Sequence, residues 1–516
     1  MIDVDDSDAR AARQAVFDPS TPSEALARIA HDHPGLRGVI AEHPNADAAL
    51  RATIADLDAP AGDDVAAALS ASPVFPRENG RDWPAPSGTP VRPPRRRWPV
   101  VVAILVALAL VAAGLTYRFV HRTAPDVSPW MAVFGEAGYQ RFRAVAVAPD
   151  GSIVVVGQAV SLPGAAVVKL SPTGDIVWAR QLDGTDQAMF ASVAVARDGT
   201  VVAAGVRTPT GGPAEALVAE WSGDGRPLWA TTLDTLGVPA MLTGVTMGPD
   251  GGIVVSGMTA SGGDGMPQVS SPAADAVVAH LNADGTAAWT HTYGGSSADV
   301  FYDAAVAPDG GIVVAGATAS RDGDFPAPYA SGPDMPDAVV AWVSPEGILW
   351  SSAVVGGFGY DMFGAVVLAR DGSVVAGGFT TSTDADFAAN TMQSGVAVVA
   401  SWSSDRTAGW TAFPAATGVG AGLARAADGA ITLVGSTIGD SADAFVARLD
   451  ATGAPAWVRL FGGEDADQFT GVALAPDGDI VAVGMTTSRT GNLTASQAGL
   501  DAVAVRLSSD GTTGPG

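Results

Sequence analysis

The sequence contains no cysteine. Disulfides, thiolate-ligated metal sites and iron–sulfur clusters are therefore excluded, whereas the cellular compartment stays undecided. Charged residues are also few, at 16% of the chain, while glycine is abundant at 63 residues. This balance is typical of an ordered, turn-rich β protein and argues against general disorder.

Basic residues are scarce as well. The 516-residue chain has 28 Lys and Arg against 54 Asp and Glu, which gives a net charge of −26. Such a surface repels phosphate backbones, so we expect no nucleic-acid partner. A chain of this length should form two or three structural units.

The usual signatures of catalysis are missing from residues 127–516. No G-x-S-x-G elbow, phosphate loop or H-E-x-x-H motif occurs there. His280 and His291 flank one turn, with no serine or aspartate partner evident in the sequence. We therefore predict no catalytic residue, no cofactor and no metal site.

What this region does contain is a repeat. Residues 301–361 read as two β-hairpins, which turn at residues 307–310 and 345–347. The Asp-Gly dipeptide of the first hairpin recurs every 48 to 62 residues, at Asp150, Asp198, Asp250, Asp309, Asp371, Asp428 and Asp477. Four strands in a period near 50 residues are typical of a propeller blade. The sequence thus predicts an all-β seven-bladed β-propeller of four-stranded antiparallel blades over residues 127–516.

Tryptophan marks the fourth strand of each unit except the last, at Trp178, Trp229, Trp289, Trp350, Trp410 and Trp457. The seventh unit lacks this strand, and residues 129–135, which include Trp130, precede the first unit. We predict that this segment completes the seventh blade and closes the ring. A second recurring position holds leucine or tryptophan, at Leu170, Trp221, Leu281, Trp342, Trp402, Leu449 and Leu507. We interpret both sets as structural positions between blades.

The phrase GSSADVFYDAAVAPDGGIVVAGATASRDGDFP closely resembles the SBBP repeat of seven-bladed β-propellers, and similar phrases lie at residues 360–387 and 467–493. The resemblance implies a propeller in a surface or secreted bacterial protein, with no single activity. Gly174 and Trp178 also have the spacing of the tryptophan-docking motif of quinone-dependent dehydrogenase propellers, whose residues are structural in that family.

Two loops place paired carboxylates close together, Asp322 with Asp324 and Asp384 with Asp386. Calcium requires six to eight oxygen ligands, and the corresponding loop at residues 490–492 lacks their charge. We favour capping of loop amides by these acids and leave calcium as the alternative. Asp299, Asp303 and Asp361 lie beside blade entries.

Residues 1–72 read as a small helical unit. Thr21, Pro22, Ser23 and Glu24 form a capping box with proline at the first helical position. The phrase DPSTPSEALARIAHDHPGLRGVIAEHPNADAAL, within residues 17–57, resembles the variant leucine-rich repeat domain at the N-terminus of many actinobacterial proteins. Some relatives carry a cysteine-ligated iron–sulfur cluster, which this chain cannot hold. Three histidines of this unit could be proposed as metal ligands, His31, His33 and His43. We do not interpret them so, because two of them, His33 and His43, simply precede helix-starting prolines.

Residues 73–97 form a Pro- and Arg-rich linker, for which we predict disorder. Residues 98–117 then carry no charge and are long enough to cross a bilayer as a helix. Arg92 and Arg95 to Arg97 precede this stretch and outweigh Arg118 and Arg122 after it. The positive-inside rule therefore predicts a signal-anchored, single-pass membrane protein with a cytoplasmic N-terminus and an extracytoplasmic propeller.

These features favour a binding or scaffolding module for a protein, peptide or glycan at the cell envelope. One alternative is a propeller enzyme that acts on a glycan or small exported substrate through carboxylates of the central channel. Another is an envelope sensor coupled to the cytoplasmic helical unit.

Overall fold

The computed structural model falls into two units, residues 1–103 and 104–516. It describes residues 22–32, 40, 50, 127–135, 140–159, 162–182, 187–233, 236, 238–259, 274–325, 335–392, 395–414, 418–439, 441–495 and 499–513. In the first unit, helix α1 spans Ser23–Asp32, and Leu26, Ile40 and Leu50 are buried. Most of the predicted helical unit, the linker 73–97 and the predicted membrane helix 98–117 lie outside the described residues. None of the helices that are described has the length and apolarity needed to span a bilayer.

The second unit is built from strands. In the first four blades they are β2 (Arg141–Val147), β3 (Ile153–Ala159), β4 (Leu162–Leu170), β5 (Ile176–Gln181), β6 (Gln187–Val195), β7 (Val201–Thr208), β8 (Glu215–Trp221), β9 (Pro227–Thr232), β10 (Ala240–Met247), β11 (Ile253–Thr259), β12 (Ala276–Leu281), β13 (Ala287–Tyr293), β14 (Asp299–Val306), β15 (Ile312–Thr318), β16 (Asp337–Val343) and β17 (Leu349–Val355). The others are β1 (Trp130–Phe134), β18 (Asp361–Leu368), β19 (Val374–Thr380), β20 (Val396–Trp402), β21 (Ala408–Ala412), β22 (Val419–Arg425), β23 (Ile431–Ser436), β24 (Ala444–Leu449), β25 (Pro455–Phe461), β26 (Asp467–Leu474), β27 (Ile480–Thr486) and β28 (Asp501–Leu507).

These strands form seven four-stranded antiparallel sheets, which confirms the predicted propeller fold. Six sheets use four consecutive strands, and the seventh has the order β1-β28-β27-β26. The N-terminal strand thus completes the last blade, as the sequence predicts, with Trp130 opposite Arg506. The first strands of neighbouring blades contact one another around the ring and so surround its axis.

The connections divide the ring into two faces. One face, here called the turn face, carries the tight turns between the first and second strands of every blade and between the third and fourth strands of the first six blades. In the turn of Asp309, the carboxylate accepts a hydrogen bond from the Gly311 amide at 3.0 Å, and Gly310 has φ +86°. The same aspartate-to-amide bond occurs in all seven Asp-Gly turns. The opposite, loop face carries the longer loops and the connections between blades.

The first strand of every blade contains a β-bulge, opposite a glycine of the second strand. In the fifth blade, the bulge lies between Phe363 and Ala365. A Cβ at Gly378 would overlap the carbonyl oxygen of Met362, the residue before Phe363. Glycine is required here because the two backbones approach too closely for a side chain. Glycines with this close approach are Gly157, Gly205, Gly257, Gly316, Gly378, Gly435 and Gly484.

Tryptophans of the outermost strands link each blade to the next. The Trp130 ring contacts Gly174 of the first blade, and its Nε1 donates a hydrogen bond to the Pro172 carbonyl oxygen at 2.9 Å. Equivalent ring-on-glycine contacts pair Trp178 with Gly225, Trp229 with Gly285, Trp289 with Gly347, Trp410 with Gly453, and Trp457 with Gly511.

Trp350 departs from the expected core position, since 40% of it is exposed. The glycine position of the next blade holds Arg406, which has φ +68°, and its guanidinium lies 5.1 Å from the centre of the Trp350 ring. The arginine side chain occupies the place where the other tryptophans rest directly on a glycine. The second recurring position, which includes Trp342 and Trp402, is buried at all seven sites.

The apolar core lies between neighbouring blades. One cluster joins Phe142 and Leu170 of the first blade to Val481 and Ala504 of the seventh. Every residue of β16 is buried, whereas most residues of β25 are exposed. In the fourth blade, complete burial is confined to the second and third strands, β15 and β16.

Candidate functional site

The paired loop acids bind backbone amides. Asp322 accepts a hydrogen bond from the Ser296 amide at 2.7 Å, and Asp384 accepts one from the Phe358 amide at 3.0 Å. The remaining contacts of this kind are Asp324 with the Gly294 amide, Asp386 with the Gly356 amide, and Asn492 with the Gly462 amide. Among the residues described, no three acids or histidines are grouped as metal ligands. The acids tie each loop to the connection beside it.

A second kind of acid is buried at the start of the first strand. Asp299 accepts hydrogen bonds from the hydroxyls of Thr318 and Ser320 and from the Gly295 amide. Burial raises the pKa of Asp299 to about 6, although these hydrogen bonds favour its ionised form. Asp361 makes equivalent contacts in its own blade, and Asp467 accepts hydrogen bonds from the Ser488 hydroxyl and the Gly463 amide. Burial raises the pKa values of both acids too.

Replacing Asp299 by asparagine should remove the contribution of this carboxyl group to the pH dependence of the unfolding free energy. A pKa raised to about 6 means that the stability contributed by Asp299 is present below its unfolded pKa and is lost as pH rises through 6. The asparagine side chain would keep the contact with the Gly295 amide and could donate to Thr318, but it cannot titrate. Relative to wild type, Asp299→Asn should therefore gain up to about 3 kcal/mol of unfolding free energy between pH 4 and pH 7.

Denaturant unfolding across that pH range measures this difference. Asp284→Asn is the control, because hydrogen bonds from Thr286 lower the pKa of Asp284, and its relative stability should change in the opposite direction. A pH-independent difference between Asp299→Asn and wild type would show that the pKa of Asp299 is the same in the folded and unfolded states.

Asp303 lies on β14, one of the first strands that surround the ring axis. It follows the bulge of β14, and burial raises its pKa to about 6. Its two oxygens accept hydrogen bonds from the amides of Ala304 and, across the blade boundary, Val366, at 2.9 and 3.0 Å. Asp299, Asp361 and Asp467 are each held within their own blade, so the acids with raised pKa values do not converge on one point.

Two arginines lie at the axis on the first blade. Arg141 and Arg143 are on β2, and Arg143 occupies the bulge. The Nε atoms of both are buried without a hydrogen-bond partner. Burial, and then the charge of Arg141, lower the pKa of Arg143 to about 10. No carboxylate of the described residues forms an ion pair with either arginine.

On the other side of the axis the lining is apolar and phenolic. Met241, Tyr302 and Met362, from the first strands of three successive blades, pack against a buried cluster of Met258, Val300 and Ala317. Burial raises the pKa of the Tyr302 and Tyr360 phenols. The axis is thus cationic on one side and apolar on the other.

Large apolar side chains are exposed on the loop face. Phe358 is 70% exposed on the connection from β17 to β18. Ile438 and Met392, on loops of the sixth and fifth blades, are 48% and 37% exposed. Rigid apolar groups in water are characteristic of interaction surfaces.

The two histidines of the third blade do not form a catalytic pair. Trp289 lies between them, with its ring centre 5.9 Å from that of His280 and 5.2 Å from that of His291. They belong to the outer half of the blade, away from the axis.

Sequence reasoning missed the arginine pair. When the seven bulges are aligned, the position of Arg141 holds Met189, Met241, Val300, Met362, Val419 and Gln468 in the other blades. A single charged residue at an otherwise mainly apolar repeat position was the available signal.

Comparisons with known proteins bear on the N-terminus and the fold. Residues 10–72 match the Leucine Rich Repeat Variant domain family. This supports the resemblance stated for that segment, whereas the SBBP resemblance of the propeller stays a prediction. No curated protein matches the chain.

Several solved structures are similar at low identity. A protein of unknown function from Bacteroides caccae is 12% identical, with 64% of this chain and 94% of that chain covered and a TM-score of 0.35. The Pan2 WD40 domain of Neurospora crassa is 9% identical, with coverage of 72% and 89% and a TM-score of 0.43. Kuenenia stuttgartiensis hydrazine synthase is 12% identical, with coverage of 67% and 94% and a TM-score of 0.42. None of these likenesses bears on the ligand of this chain.

Proposed function

We propose that the propeller is a binding module for a protein, peptide or glycan at the cell envelope, with the loop face as its binding surface. The exposure of Phe358 is the main support. Its backbone amide is held by Asp384 of the neighbouring loop, so the connection presents the aromatic ring from a fixed backbone. Aromatic side chains on ordered loops bind partners with little loss of conformational entropy.

Photocrosslinking in intact cells tests this surface. A photoreactive phenylalanine analogue at position 358 should give one discrete crosslinked product. The same analogue at Ile176, which is 59% exposed but lies beside a turn-face turn, is the matched control and should give none. Equal labelling from both positions, or none from position 358, would contradict the proposal.

Membrane anchoring is part of the same proposal and rests on the uncharged stretch 98–117. Protease added to intact cells should remove residues 127–516 and leave the N-terminal segment protected. If the propeller remains intact in cells but is cut after lysis, the orientation deduced from Arg95 to Arg97 is wrong.

The enzyme alternative is supported by one observation, the raised pKa of Asp303 beside the axis. Because both oxygens of Asp303 already accept backbone hydrogen bonds, a structural role across the blade boundary explains the residue as it stands. Binding is therefore the function that we favour.

A further inference from the structure

We infer that Arg141 and Arg143 form an anion site at the ring axis, which takes a phosphate group or a similar oxyanion of the ligand. The inference rests on the proposed function only in that the ligand would approach from the loop face, where β2 begins. The residues that carry it are different from those of the loop-face surface.

The first argument is electrostatic. Two adjacent guanidinium groups repel each other, and each loses hydration when its Nε is buried without a partner. Desolvated charges are stable in proteins when an opposite charge compensates them. The described residues supply no such charge to Arg141 or Arg143, so an anion from solution or from a ligand would fit this position.

The second argument is a comparison within the same ring. Arg506 is buried, with 1% of its surface exposed, and its guanidinium binds Asp477 and, at 2.9 Å, Asp479. Arg506 thus has two carboxylate partners, whereas no carboxylate of the described residues forms an ion pair with Arg141 or Arg143.

The third argument concerns position and shape. The same two places hold methionine and threonine in the third blade, Met241 and Thr243, so neither the bulge nor the blade boundary requires a cation. Two guanidinium groups offer planar sets of N–H donors, which match the oxygens of phosphate better than a single ammonium does. The phenols of Tyr302 and Tyr360 add polar groups on the opposite side of the axis.

The test is the thermal unfolding of the full-length protein in detergent, followed by tryptophan fluorescence during titration with sodium phosphate. Sodium chloride at equal ionic strength controls for screening. We expect a saturable rise in Tm of several degrees with phosphate and not with chloride, since a ligand that binds only the folded state stabilises it.

The variant that removes the site uses the residues that another blade carries at the equivalent positions. Arg141→Met with Arg143→Thr should fold, should have a higher Tm than wild type without phosphate because the repulsion is removed, and should lose the phosphate-dependent rise. Arg459→Gln, on the exposed part of β25, should behave as wild type. Acetate and a peptide with a free C-terminus, used in place of phosphate, distinguish a carboxylate ligand from a phosphate one.

An unchanged phosphate response in the double variant, or no saturable response to any of these anions in wild type, would overturn the site. Crosslinking from position 358 requires no phosphate. A failure of the anion site and a failure of the loop-face surface are therefore observed separately.

Discussion

A propeller that starts at residue 140 should unfold at a markedly lower temperature than one that starts at residue 127. The shorter chain lacks β1, whose five residues pair with β28 and complete the seventh blade. It also loses the contact between the Trp130 ring and Gly174 and the hydrogen bond from the indole to the Pro172 carbonyl oxygen. By analogy with large-to-small core substitutions, the loss of the tryptophan alone should cost about 3 to 5 kcal/mol. That is a large share of a typical stability of about 5 to 15 kcal/mol.

Calorimetry of the two chains measures the difference, and Trp130→Ala in the longer chain should change Tm in the same direction. Ile176→Ala is the control, because this side chain of the adjacent blade is mostly exposed and should alter stability by less than about 0.5 kcal/mol. If both chains melt at one temperature, β1 does not close the ring in solution.

Gly378→Ala should be among the most destabilising single substitutions in the ring. The new methyl group would overlap the Met362 carbonyl oxygen and would lie 2.7 Å from the Phe363 Cα atom. Both are backbone atoms of the paired strand, which cannot move aside like a flexible side chain. Relief would require the bulge and its hydrogen bonds to shift, and we expect a loss of at least about 3 kcal/mol, comparable with core overpacking.

Gly364 of the same blade gives a matched control. It occupies the bulge itself, and a Cβ there would have no neighbour nearer than the Gly420 oxygen, at 3.6 Å. Gly364→Ala should be neutral or stabilise by up to about 1 kcal/mol through the lower entropy of the unfolded chain. Equal urea midpoints for the two variants would mean that the bulge has room for a side chain.

The blade count and the ring closure could be predicted because they depend on local signals. An Asp-Gly turn such as that at Asp309 is specified by its own residues, and the missing fourth strand of the last unit leaves a visible gap in the repeat. The seven bulges could not be found in this way. Gly378 is an ordinary small residue in a strand until the pairing partner, and with it the approach of Met362, is known.

The candidate site was harder to predict for a related reason. Arg141 and Arg143 have no distinctive spacing, and arginine in a soluble β protein usually faces solvent. Their meaning comes from the strand order, which places β2 at the axis, and from the absence of an ion-pair partner among the described residues. Phe358, likewise, becomes informative only when its exposure is known.

The seam between the first and last blades also has a consequence for how fast the ring forms. Both Trp130 and Arg506 donate hydrogen bonds to Pro172, and Arg506 is 334 residues away from Pro172 in the sequence. Contacts between such distant segments carry a large loop-closure entropy and form late in folding. Substitutions in β1 should therefore leave the refolding rate almost unchanged and should accelerate unfolding, so the closing strand determines how long the folded ring persists.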